Sequence, residues 1–139
     1  GPFTFFYVKN RAIYGPGCPG TLGLTPALTI GDASVGNAAF AVGLQNALPG
    51  SPAVLGISLG AMPAPWSPCS ILLDLGAPAV FLPASADAAG QASITISIPA
   101  NPALHNVPFF AQWGVADPSG GFAGTVPIAL SRGRTVIVW

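Results

Sequence analysis

Few residues in this 139-residue chain can do chemistry. They are one histidine (His105), two cysteines (Cys18 and Cys69) and four aspartates (Asp32, Asp74, Asp87 and Asp117), and there is no glutamate. A Ser–His–Asp arrangement would need His105 beside a serine such as Ser85 or Ser119. No G-x-S-x-G turn exists to present that serine. A glycosidase pair would have to be built from two aspartates. Asp74, inside the apolar run SILLDLG, is the one acid outside an evident turn; it reads either as a buried functional acid or as the outward face of a strand. One histidine and two cysteines do not make a zinc set. Calcium would have Asp32 with Asn37, or Asp87, or Asp117, together with main-chain carbonyls, but EF-hand spacing is absent. GPGCPGTLG is rich in glycine yet lacks the lysine of a phosphate loop. The expectation is therefore no catalytic residue, no metal, no cofactor and no enzyme.

Cys18 and Cys69 each lie in a proline-rich turn, GPGCPGT and WSPCSIL. Together they read as a disulfide in an oxidising compartment; two separately buried thiols are the other reading. A bridge closing about 50 residues stabilises by roughly 4 kcal/mol on the chain-entropy account. Asn10, Asn37, Asn46, Asn101 and Asn106 all fail the N-x-[ST] pattern, which removes classical N-glycosylation.

Composition narrows the class. Only 6% of residues are charged, the hydrophobic set makes up 51%, and formal net charge is zero. Four basic residues cannot track a phosphate backbone, so nucleic acid is excluded as a partner. So bare a surface is tolerated when partner subunits, glycans or attached domains cover it. No apolar run reaches the length of a membrane helix. All four bases, Lys9, Arg11, Arg132 and Arg134, lie towards the two ends of the sequence, and all four acids lie between them. Turn formation accounts for the acids; basic ends meeting the acidic loops of another subunit is the sharper reading.

The elements that must carry these residues are strands. Eighteen glycines and 16 prolines punctuate short apolar runs, as in a turn-rich β protein. Strands are expected over 4–14, 22–30, 38–47, 53–60, 70–76, 79–84, 91–99, 109–116, 125–131 and 135–139. In QASITISIP, Ala92, Ile94, Ile96 and Ile98 should face a core while Ser93, Thr95 and Ser97 face out. Eight to ten such strands without a helix predict one all-β domain, a β-sandwich, over 15–139, preceded by an N-terminal extension strand over 1–14.

The stretch YGPGCPGT, then LPGSPAVLGISLG, PCSILLDL and DAAGQASITISIP resembles a disulfide-bonded β module of secreted proteins from environmental bacteria. The pattern is Y-G-x-G-C-x-G-T, P-G-x-x-A-x-L-x-x-S, a second Cys, D-x-x-G-x-A, and an end near Q-x as in FFAQWG. It covers residues 14–131. The resemblance implies an extracellular, disulfide-bonded β domain and carries over no catalytic residue.

Outside that pattern stands TFFYVKNRAIY. Its first half is apolar on both faces, like a strand buried on both sides. Such a strand can complete its own sandwich or leave to complete a neighbour's, and head-to-tail contacts that do not close make filaments. The leading expectation is a structural subunit of an extracellular filament or surface fibre, resembling donor-strand filament subunits. Its interface would comprise Phe3, Phe5, Phe6, Tyr7, Val8, Ile13 and Tyr14, its partners being identical subunits. The alternative is a carbohydrate-binding or adhesion module of a larger surface protein, with Trp66 and Trp113, and also Trp139 and Tyr14, as the glycan platform.

Overall fold

The structure is a computed structural model that describes residues 13–139. Among these residues nine strands fold into two antiparallel sheets: β1 (Ile13–Tyr14), β2 (Ala27–Ile30), β3 (Phe40–Gln45), β4 (Pro52–Ser58), β5 (Ala79–Ser85), β6 (Ala92–Ile96), β7 (Pro108–Ala116), β8 (Ile128–Leu130) and β9 (Gly133–Ile137). The larger sheet runs β1-β9-β7-β4-β5, with β8 also pairing β7; the smaller runs β2-β3-β6. The described residues form no α-helix, only two short 3₁₀ turns at Thr21–Gly23 and Pro102–Leu104. The expected all-β sandwich is what forms.

Period-two alternation decides which side chains meet. In β3, Phe40, Val42 and Leu44 are buried and the residues between them are not. In β6, Ala92, Ile94 and Ile96 turn inward and Ser93 and Thr95 outward. From the larger sheet, Leu55, Ala111, Trp113, Val115 and Val136 join these residues in one core. The 38–47 run, the most helix-like in the sequence, is strand β3, closed by the Pro49-Gly50 turn with Gly50 at φ 75°.

The larger sheet is covered on its second face as well. The segment over 70–76 was expected as a strand, but it makes only a single bridge, Leu73 to Ala61. It crosses the sheet's outer face as a cover loop, burying Leu72 and Leu73 completely. Gly56 of β4 makes room for it, since a side chain there would meet the Leu73 methyl at 2.7 Å. Strand-like apolar character here reflects burial under a loop, which periodicity in so short a run cannot separate from burial in a sheet.

Trp113 is the expectation most clearly corrected. It is 0% exposed and cannot be a glycan platform. Its indole N–H crosses the sandwich and donates to Gly43 O at 2.9 Å. The ring buries a large apolar surface while its one polar atom is satisfied. Trp113→Phe removes that bond and leaves the Gly43 carbonyl without its partner. The variant should lose about 2 kcal/mol, read from the urea midpoint at unchanged m-value; a loss under about 0.5 kcal/mol would mean that the indole N–H does not tie the sheets.

Candidate functional site

The chemistry-bearing residues are dispersed among the turns. His105 is exposed just after the Pro102–Leu104 turn. Ser85 is exposed at the end of β5, and Ser119 donates its main-chain N–H to Asp117 at 2.9 Å. Asp74 is on neither a strand face nor in a pocket: its carboxylate accepts the Gly76 N–H at 2.8 Å within a turn, and its carbonyl accepts the Ser58 hydroxyl at 2.8 Å. Asp87 accepts the N–H groups of Ala89 and Gln91. Asp32 accepts the Ser34 hydroxyl, and its carbonyl takes the Asn37 amide. Among the described residues no cluster of three or more His, Cys, Asp or Glu has the geometry of a metal site. No helix there is long and apolar enough to cross a membrane.

What the fold does build is a fixed root for the N-terminal strand, and the motif YGPGCPGT supplies it residue by residue. Ile13 pairs with Arg134 and Tyr14 with Gly133 on β9. The Tyr14 hydroxyl donates to Leu72 O of the cover loop at 2.9 Å. Its ring meets Trp66 at 5.6 Å and the edge of Phe110 at 6.1 Å, and it lies so close over Gly133 that a Cβ there would fall inside it. Gly15, at φ 69°, passes under Leu72, whose methyls leave no room for a side chain. Its carbonyl accepts Arg132 Nε at 2.8 Å. Cys18 exchanges two main-chain hydrogen bonds with Leu130, at 2.8 and 3.0 Å, and is bridged to Cys69. The expected disulfide is formed.

The last two motif residues meet Asp117, which the sequence reading placed in an ordinary turn. Asp117 is buried. It accepts the Thr21 N–H at 2.8 Å, the Thr21 hydroxyl at 2.7 Å and the Ser119 N–H, and Gly20 is bare because a Cβ would strike the carboxylate. The other motifs also serve the fold: Pro49-Gly50 turns the chain, Ala53 and Leu55 are core, and Gly90 takes φ 73°.

The glycan-platform residues stand as follows. Trp66 is half-buried on Tyr14 and donates its indole N–H to Met62 O at 2.8 Å, so ring and polar atom are both engaged by its own chain. Trp139 is half-exposed, with its main chain paired to Ala33 and Val35. Of the expected interface, Phe3, Phe5, Phe6, Tyr7 and Val8 lie outside the described residues. Ile13 is exposed, and Tyr14 is held by its own sandwich.

Sequence reasoning missed Gln112. It is 4% exposed, accepts Leu72 N at 2.9 Å and donates to Ser131 O at 2.9 Å and Ser70 O at 3.2 Å. Its signal was a lone amide inside the apolar run FFAQWGVA, which must find partners when buried. Beside the root, Ile13, Pro26, Leu28, Arg132 and Arg134 line a 210 Å³ hollow between the edges of the two sheets. Arg134 Nη1 donates there to Leu28 O at 2.9 Å.

The fold and this arrangement define a disulfide-bonded β-sandwich in which Tyr14, Gln112, Asp117 and Arg132 hold loops to the sheets. Compared with known proteins, the chain matches no family model, no curated protein and no solved structure.

Two titrations follow from the geometry. Burial alone would push Asp117 up, but the three donors from Thr21 and Ser119 outweigh it and hold the carboxyl below its usual range. A folded-state pKa below the unfolded one gives stability that is present above pH ~4 and lost as pH falls through the folded value. Asp117→Asn should cost about 1–3 kcal/mol at neutral pH and flatten the acid limb of the stability curve; an unchanged acid limb would remove Asp117 from that account. Desolvation pushes the Tyr14 phenol up from 10.0 to about 12. Its stabilisation is whole below pH 10 and fades as pH rises through 12. The 295 nm titration difference between wild type and Tyr14→Phe should therefore be centred near 12; a midpoint at the ordinary tyrosine value would show Tyr14 solvated.

Proposed function

We propose that this protein is a structural subunit of an extracellular filament or surface fibre. It polymerises head to tail by adding the part of its N-terminal strand upstream of the Ile13–Tyr14 root, within residues 3–12, to the sheet of a neighbouring subunit. The observation that carries this reading is the root. From Ile13 onward, the chain is fixed by a half-buried, hydrogen-bonded phenol, an arginine-to-carbonyl bond and a disulfide-linked residue bridged to Leu130, all within six residues, Ile13 to Cys18. A strand that bridges two subunits transmits force to its root, and the root is where this fold concentrates its restraints.

The surface supports the same reading. Ile13, Leu22, Leu59, Val80, Phe81 and Trp139 are all at least half-exposed on a chain with eight charged residues. Such a surface favours association over repulsion. The disulfide fits an oxidising compartment, and with it a secreted or cell-surface location. The polar side chains engaged in holding turns leave no set for catalysis in this reading.

Negative-stain electron microscopy with sedimentation velocity tests it, on the full chain and on a form lacking residues 1–12 but keeping the Tyr14 anchor. The full chain should give ordered fibres and the shortened one soluble, folded monomers. Monodisperse monomers from the full chain at high concentration would overturn the reading.

A further inference from the structure

Besides β8, whose outer side is bridged to Cys18, the described sheets have four outer strands, and three of them are short, capped or blunted. β1 is only two residues long among the described residues, too short an edge to seat a six-residue strand. In β2, the Gly31 N–H donates to Ala41 O, so by parity the even residues turn their main-chain groups outward, and Arg134 caps the outward Leu28 carbonyl. In β5, Ala86 N–H donates to Ser51 O, so the odd residues face out. One of these is Pro83, which has no N–H to offer and blunts the edge.

β6 carries no such device. The even residues of β3 face β6, in the pairs Phe40 with Ile96, Val42 with Ile94 and Leu44 with Ala92. Ser93 and Thr95 therefore turn their N–H and C=O groups to the outer side, where β6 has no partner strand among the described residues. The strand ASITI contains no charge and no proline. Its inward side chains are also incompletely covered: Ile94 and Ile96, with Leu82 of β5 and Ile57 of β4, are only partly buried against the core. A 240 Å³ cleft opens between the sheets beside them, lined by Phe40, Ile57, Leu59, Ile96, Ile98 and Phe109.

We propose that the free edge of β6 and this cleft accept residues 3–8, FTFFYV, of a second copy of the chain. This rests on the filament reading and names its acceptor site. An incoming strand pairs with Ser93 and Thr95, and one of its two apolar faces closes over Ile94, Ile96 and the cleft. Six extended residues span about 20 Å, enough to run the length of the five-residue β6. The segment joins the described structure at Ile13, on the β1 side of the larger sheet, whereas β6 lies alongside β5 at the other side. Donor root and acceptor edge thus occupy opposite flanks of one subunit. The contact is heterologous and repeats without closing.

Thr95→Pro tests the site in the full chain. It deletes an N–H on the open side, as Pro83 does in β5, and leaves the β3–β6 ladder intact; Thr95→Val keeps the N–H. The proline variant should remain monomeric, and because it retains its donor strand it should shorten wild-type fibres when mixed with them. The valine variant should polymerise normally. Hydrogen exchange on wild-type fibres gives a readout independent of any variant's folding. Exchange at the Ser93 and Thr95 amides should slow by about 100-fold or more on assembly. Fibres that need residues 1–12 yet leave these two amides exchanging as in the monomer, or that form equally well from Thr95→Pro, would overturn the β6 site while the filament reading stands. A wild-type chain that never polymerises overturns both.

Discussion

Two consecutive side chains on β7 hold three layers together. The pleat sends Gln112 to the outer face of the larger sheet and Trp113 to the inner one. Trp113 reaches the smaller sheet through Gly43 O, and Gln112 grips the cover loop at Ser70 and Leu72 and the β8–β9 junction at Ser131. Ser131 closes the arrangement by accepting the Trp113 N–H on its hydroxyl. Each bond alone contributes modestly. Loss of the Gln112 side chain would strand three main-chain polar groups at once, which costs more than the bonds themselves are worth.

The cover loop gives the N-terminal root its rigidity. Leu72 is fixed from below by Gln112, and its carbonyl in turn receives the Tyr14 hydroxyl. The disulfide joins Cys69, at the start of this cover, to Cys18, which is paired with Leu130. Root, cover and central strand are therefore one connected unit. A pull on residues upstream of Ile13 would load the β1–β9 pairing, the Tyr14 cluster and a covalent bridge together rather than peel β1 away alone.

The alternation that fixes a strand's face was legible, and so was the fold. QASITISIP became β6 with the expected face inward, and AAFAVGLQNA became the expected strand, β3. What failed were readings that depend on which layer covers an apolar residue. SILLDLG is a loop pressed on a sheet, and Trp113 is core because β7 is central, a position that no local pattern encodes. Asp117 looked like any turn aspartate in ADPSG; its burial comes from Thr21, 96 positions away. The YGPGCPGT motif was visible as a motif, but the reasons for its glycines, a methyl of Leu72 at one and a carboxylate at another, exist only once distant segments meet.

The scarcity of charge then acquires a structural reason. The carboxylates of Asp74, Asp87 and Asp117 hold main-chain N–H groups within or between turns, and Arg132 and Arg134 hold main-chain carbonyls. Charge in this molecule substitutes for missing main-chain partners in a chain broken by 16 prolines and many turns. That use engages Arg132 and Arg134 within the chain itself, while Lys9 and Arg11 of the expected basic ends lie outside the described residues. In the proposed fibre, association draws on apolar burial and main-chain pairing, neither of which depends on ionic screening as surface ion pairs do. In that proposed fibre, a sandwich whose other outer strands are short, capped or blunted directs such pairing to β6, and would so obtain from backbone geometry the specificity that other surfaces obtain from charge.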